Sequence, residues 1–225
     1  MVLSGLPATR PQIDRDCPLH DNPRRFTRRP AEEPAIPSYK QIPMTTSPAA
    51  APLISDEYRR MQEELHRNPS YGMASVGFAP LVADVIKAKG FTELLDYGAG
   101  KGRLGETLKT LVTTPLTVRH YDPAMPQWSA SPAPCQLVAC IDVLEHIEPP
   151  LLDNVLDDLR RVVANYGVFT IATGPARKVL SDGRNAHLIQ QPAKWWLPKM
   201  MERFELVAYN RSNTGFWLVV EAMPR

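Results

Sequence analysis

From residue 53 onward the apolar positions fall into two alternating rhythms. Helical spacing marks "SDEYRRMQEELHRN", which opens on Ser55 as an N-cap residue, and "FAPLVADVIKAKG", which Gly90 closes. A short buried run, "ELLDYG", then leads into the helical "GRLGETLKTLV" and a second strand, "LTVRHYDP". "CQLVACIDVL" is continuously apolar, the pattern of a central parallel strand covered on both faces. The prolines of "EPPLLDNVLDDLRRVVAN" precede another helix, and "GVFTIATG" is a further buried strand. "PAKWWLPKMME" predicts a short helix interrupted near Pro198, and "FELVAYNRS" and "GFWLVVEAM" face each other across "NT" as a closing hairpin. Strands alternating with helices predict an α/β protein built on an open, mostly parallel sheet with helices on both faces and a C-terminal antiparallel hairpin strand.

The first 52 residues break this pattern. Ten of the 23 prolines lie there without apolar periodicity, which predicts an extended or disordered Pro/Arg-rich leader (1–52) ahead of one folded domain (53–225). Charge divides in the same way: the leader holds seven Lys or Arg against five Asp or Glu, and the domain 19 of each. The leader therefore carries the whole net charge of +2, and Arg24, Arg25, Arg28 and Arg29 make nucleic acid a partner to weigh. No apolar run reaches the ~20 residues of a membrane span, and the amino terminus lacks the layout of a signal peptide. Cys17, Cys135 and Cys140 form neither a disulfide framework nor a CxxC zinc site, so a reducing cytoplasm is the expected compartment.

Chemistry concentrates in "LLDYGAGKGRLGETL". Glycines at a strand-to-helix turn let the backbone bend sharply and approach a ligand, while the helix behind them presents free N–H groups. Two patterns overlap. "GKGRLG", from Gly100, satisfies GxGxxG, with Asp122 near the distance at which an acid holds a ribose; it begins five residues after Leu95 rather than directly behind the strand. "DYGAGKG" is instead an acid followed by GxGxG.

With "YDP" and "IDVLEHIEP" downstream, the second pattern resembles that of the class I, Rossmann-like S-adenosylmethionine-dependent methyltransferases. The resemblance covers the chain from about Tyr71 to its end. It implies a three-layer Rossmann-like fold and S-adenosylmethionine as cofactor, held by Asp96, Gly98, Gly100, Gly102 and Asp122, with Asp142 bordering the methyl. The wider pattern also looks like uncharacterised small methyltransferases of phages and prophages. A glycine-rich turn in some other nucleotide- or sugar-binding α/β protein is the bland alternative. One departure stands out. The family usually fits a helix and a third strand between Asp122 and Ile141, but here Pro123, Pro126, Pro132 and Pro134 crowd the interval. Met125 or Trp128 then either covers the adenine or plugs a loop.

Methyl transfer needs a nucleophile aligned with the methyl and a route for its proton. Asp142, Glu145 and His146, spaced i, i+3, i+4, would share one side of a helical turn. With His187 from a later loop they offer a divalent-ion site (Asp142, Glu145, His146, His187). This resembles the acid/His cluster of small-RNA 2′-O-methyltransferases, with Asp142 in place of their first Glu. The metal-free reading makes His146 or His187 a general base, so the candidate catalytic residues are Asp142, His146 and His187. "DGRNAHLIQ", with Arg184, Asn185 and His187, is the candidate acceptor-binding loop, and Trp195 and Trp196 are either its wall or core. Three functions stay in view: methylation of a small molecule, modification of a nucleic acid engaged by the leader, and S-adenosylmethionine binding without turnover. The acceptor itself is not legible.

Overall fold

The computed structural model describes residues 51–68 and 71–224; the expected leader lies outside them, apart from its last two residues. Helices α1 (Asp56–His66) and α2 (Ala74–Lys89) lead into β1 (Glu93–Tyr97), α3 (Arg103–Leu111) and β2 (Thr117–Tyr121). β3 (Cys135–Ile141), α4 (Leu152–Val162), β4 (Val163–Ala172), α5 (Ala193–Met201), β5 (Phe204–Arg211) and β6 (Gly215–Ala222) complete the order. The six strands line up as β2-β1-β3-β4-β6-β5, with β6 antiparallel to both of its neighbours and the pairs among β2, β1, β3 and β4 parallel.

Alternation along the strands splits the core in two. Leu95, Val138 and Phe169 pack with α4 and α5, whereas Leu94, Leu137 and Val168 pack with α2 and α3. Trp196 is fully buried in the first of these layers, a core residue, whereas the half-buried Trp195 packs at its margin and lines a shallow pocket with Leu188, Ile189 and Gln190. Pro198 lies within α5 and does not end it, since Trp196 and Met200 are buried around it and hold the turn in place. α4 stops at Val162, short of the expected end, because β4 takes up Val163 as a partner of Cys135.

Between Asp122 and Cys135 there is only one 3-10 turn, Pro126–Trp128, and no strand. Prolines without N–H donors cannot extend a ladder, so β2 is left as the sheet's edge. The chain leaves β1 toward β2 on one side and resumes at β3 on the other. That reversal opens a crevice at the carboxyl ends of β1 and β3, the usual ligand position in open α/β sheets.

α1 is fastened over this crevice. Ser55 Oγ accepts from the Tyr58 N–H, and the Glu148 carboxylate accepts from the Ser55 N–H (2.8 Å) and hydroxyl (2.7 Å). Ser55→Ala removes both the cap and half of the tether, and should cost about 1 kcal/mol, lowering Tm by roughly 2–4 °C. Scanning calorimetry checks this; an unchanged Tm would show that the tether adds nothing.

Candidate active site

The crevice is a cleft of about 950 Å³ including its mouth. Asp96 and the glycine turn form its floor, Asp122 to Ala124 one wall, Asp142, Val143 and His146 another, and α1 with Tyr71 its cover. Gly98, Gly100 and Gly102 all have positive φ (77°, 52° and 70°), the backbone region that favours glycine. The Gly98 and Ala99 N–H groups donate to the Tyr121 carbonyl. Asp122 fastens the turn from the other side: Oδ2 accepts from the Gly100 N–H (2.8 Å) and Oδ1 from the Ala124 N–H (2.9 Å). Each of its oxygens keeps a lone pair for a further donor.

Asp96 is buried at the end of β1. Its strand register sets it opposite His120, whose Nδ1 lies 3.4 Å from Asp96 Oδ2 without hydrogen-bond geometry. Burial pushes the Asp96 carboxyl above its usual range; His120 pulls it back and Asp122 adds to the push. Its Oδ2 is buried and faces His120 without a hydrogen bond, an uncommon state for a buried oxygen, and the residue itself lines the cleft floor. His120 also stacks on Trp128, ring centroids 4.6 Å apart, beside Gly102. Trp128 is thus packed beside the turn and is not among the residues lining the cleft.

After β3 the chain turns through Asp142, which is left-handed (φ 60°) and the only non-glycine residue of positive φ among those described. Thr170 Oγ1 accepts its N–H. The turn Leu144–His146 is a 3-10 turn, not α-helical, and this separates the expected cluster. Glu145 is fully buried behind it, touching the Asp142 carboxyl, with Oε1 accepting from the Ala172 N–H at 2.5 Å. Burial, and secondarily the Asp142 charge, drive its carboxyl well above the usual range. Asp142, His146 and His187 do come together, with one ligating atom of each within 4.8 Å of the others. The His146 and His187 rings meet edge-on at 4.7 Å.

Both imidazoles have a fixed tautomer. His146 Nδ1 is 2.8 Å from the Ala186 carbonyl and His187 Nδ1 is 2.6 Å from the Gly174 carbonyl. A carbonyl only accepts, so each Nδ1 carries the hydrogen and each Nε2 keeps its lone pair. Burial lowers the His146 pKa to about 4, Asp142 opposing and His187 reinforcing the shift. Of the expected acceptor loop only His187 reaches this group. The Asn185 amide bonds the Ala176 N–H and carbonyl and the His187 N–H, which folds the loop, and Arg184 pairs with Asp182.

Three residues of the cleft were not singled out from sequence. Tyr58, Gln62 and His66, spaced i, i+4, i+8, lay one stripe of α1 along it. The His66 ring lies against Gly100, its buried Nδ1 has no hydrogen-bond partner, and burial lowers its pKa. Tyr71 is edge-on to His66 at 5.1 Å and to His146 at 6.3 Å.

No family model matches the sequence, and no curated protein does. Solved structures do match in fold. A Burkholderia thailandensis 1,6-didemethyltoxoflavin-N1-methyltransferase, bound to its substrate and S-adenosylhomocysteine, shares 15% identity over 77% of this chain and 93% of its own, at a TM-score of 0.54. A magnesium protoporphyrin IX methyltransferase from Synechocystis, with S-adenosylhomocysteine, has a TM-score of 0.51, 13% identity and coverage of 67% and 84%. A small RNA methyltransferase reaches 0.52 at 9% identity, over 65% of this chain and 25% of its own. The chain therefore has the Rossmann-like fold seen in S-adenosylmethionine-dependent methyltransferases. None of these neighbours bears on the phage or prophage resemblance.

Proposed function

We propose that this protein is an S-adenosylmethionine-dependent methyltransferase. The supporting observation is that Asp96 and Asp122, both buried, line one cleft on either side of a positive-φ glycine turn at the sheet's switch point. In this reading Asp96 accepts from the amino group of the cofactor and Asp122 from its ribose hydroxyls, while Gly98 to Gly102 let the backbone lie close. When bound, the cofactor supplies an electrophilic methyl on a sulfonium whose leaving group is a neutral thioether. The chain's own part is to orient and to exclude water. α1 and Tyr71 cover the cleft, and Asp142, His146 and His187 border the transfer with lone pairs able to take the acceptor's proton. Titration calorimetry with S-adenosylmethionine and S-adenosylhomocysteine should show saturable one-to-one binding of both. No heat with either would end the reading.

One observation favours a second, metal-assisted form: the convergence of Asp142, His146 and His187 within 4.8 Å, with both Nε2 atoms free to ligate. Those three would hold a divalent ion that polarises an oxygen acceptor; Glu145, turned toward Ala172, would not take part. His187→Ala should then weaken binding of the ion by about tenfold or more and lower O-methylation in parallel. Unaltered ion binding in the variant, with a wild type insensitive to EDTA, would remove the metal.

A further inference from the structure

One hydrogen-bond chain runs from α1 into the cleft, and its polarity is set by a single carbonyl. Tyr58 Oη lies 2.6 Å from the His146 carbonyl, which only accepts, so the Tyr58 hydroxyl hydrogen is committed there. Gln62 also lies 2.6 Å from Tyr58 Oη and must therefore present its Nε2 donor to that oxygen. This turns the buried Gln62 Oε1 toward Tyr71, whose hydroxyl gives its hydrogen to it at 3.2 Å. Tyr71 Oη is left with lone pairs only. The same argument has already left His146 Nε2 and His187 Nε2 as lone pairs beside the Asp142 carboxyl. Tyr71, Asp142 and His146 line the cleft, with His187 against His146. Among the described residues no Lys or Arg lines it, and Leu53, Ile54, Ile147 and Val155 add apolar lining.

We infer, resting on the methyltransferase reading, that the methyl acceptor is a small molecule with an apolar body whose reacting group is a hydrogen-bond donor, an amine N–H or a hydroxyl, and not a carboxylate or phosphate oxygen. A donor group completes Tyr71 Oη and the two Nε2 atoms, each of which can only accept. An anionic oxygen would meet three lone-pair surfaces with no Lys or Arg among the described lining residues to neutralise it, a desolvation cost without compensation. In the reaction the N–CH3 or O–CH3 bond forms as the S–CH3 bond breaks. The electron pair of the broken bond stays on sulfur as the thioether, and the acceptor's proton passes to His187 Nε2 and on to water. Gln62 and Tyr58 act as positioning residues: they touch no reacting atom but fix which way the Tyr71 hydroxyl faces.

Three probes of one shape separate the possibilities: naphthol (a donor), methoxynaphthalene (neutral, acceptor only) and naphthoate (anionic). Each is titrated by ligand-observed NMR into the full-length protein saturated with S-adenosylhomocysteine, in EDTA so that no cation occupies the lone pairs. Naphthol should bind about tenfold or more tightly than either of the others, on the scale of a hydrogen bond to a charged or buried partner. Tyr71→Phe should weaken naphthol several-fold and leave methoxynaphthalene unchanged. Gln62→Leu should do the same, and Gln62→Glu, which keeps an acceptor toward Tyr71, should restore part of the naphthol preference. Naphthoate or methoxynaphthalene binding as tightly as naphthol would overturn the inference, as would equal losses for all probes in Tyr71→Phe. Failure of S-adenosylhomocysteine to bind would instead refute the methyltransferase reading on which the inference rests.

Discussion

Asp122→Ala is expected to lower affinity for S-adenosylmethionine on the order of 100-fold and to loosen the glycine turn at the same time. Two charge-assisted contacts to ribose hydroxyls would be lost, each worth about 1.5–3 kcal/mol, and every 1.4 kcal/mol is roughly tenfold in affinity. The variant also strands the Gly100 and Ala124 N–H groups that the carboxylate now receives. Asp122→Asn separates these effects. Its single amide oxygen can keep one latch while presenting N–H groups where acceptors are needed, so it should retain more of the stability than of the affinity. Calorimetric titration and a thermal melt of both variants check this. Wild-type affinity in Asp122→Ala would remove Asp122 from the cofactor site.

Gly98→Ala should be nearly as damaging, through packing. A Cβ built at Gly98 would come within 2.4 Å of Val143 Cγ2 and 2.9 Å of Cγ1, and the backbone φ of 77° is one that L side chains rarely adopt. Overpacking costs about 1–3 kcal/mol and the left-handed conformation about 1–2 kcal/mol more. A fall in Tm of roughly 4 to 20 °C follows, at about 2–4 °C per kcal/mol for a domain of this size. Relief has to come from Val143, so Gly98→Ala with Val143→Ala should recover the packing part and leave the conformational part. A melt in which Gly98→Ala is neutral would mean that the glycine turn does not press on Val143 in the turn after β3.

Much of this architecture was legible because its signals are local. The alternation of apolar runs set the element types, and the prolines between Asp122 and Ile141 marked that interval as a departure, which proves to hold one 3-10 turn and no strand. Asp96, the three glycines and Asp122 were visible as a spacing; the fold brings Asp96, Gly98, Gly100 and Asp122 to one cleft, with Gly102 behind it against Trp128 and His120. Glu145 was misplaced because i, i+3, i+4 spacing groups side chains only on an α-helical turn; the 3-10 geometry after a left-handed Asp142 sends it into the core. Tyr58, Gln62 and His66 went unread since a helix wall looks, in sequence, like any amphipathic face. Their i, i+4, i+8 repeat of aromatic and polar residues was the signal available. The hydrogen-bond polarity that leaves Tyr71 an acceptor depends on the His146 carbonyl, far from α1 in the chain, and no sequence pattern carries it.

The central claim is that Asp96, Gly98 to Gly102 and Asp122 hold S-adenosylmethionine. A crystal structure of the full-length protein grown with S-adenosylhomocysteine tests it most directly. The account predicts the ligand lying along the glycine turn, its amino group on the Asp96 carboxylate and both ribose hydroxyls on Asp122. Density for the ligand elsewhere, or bound there with neither carboxylate in contact, would contradict it.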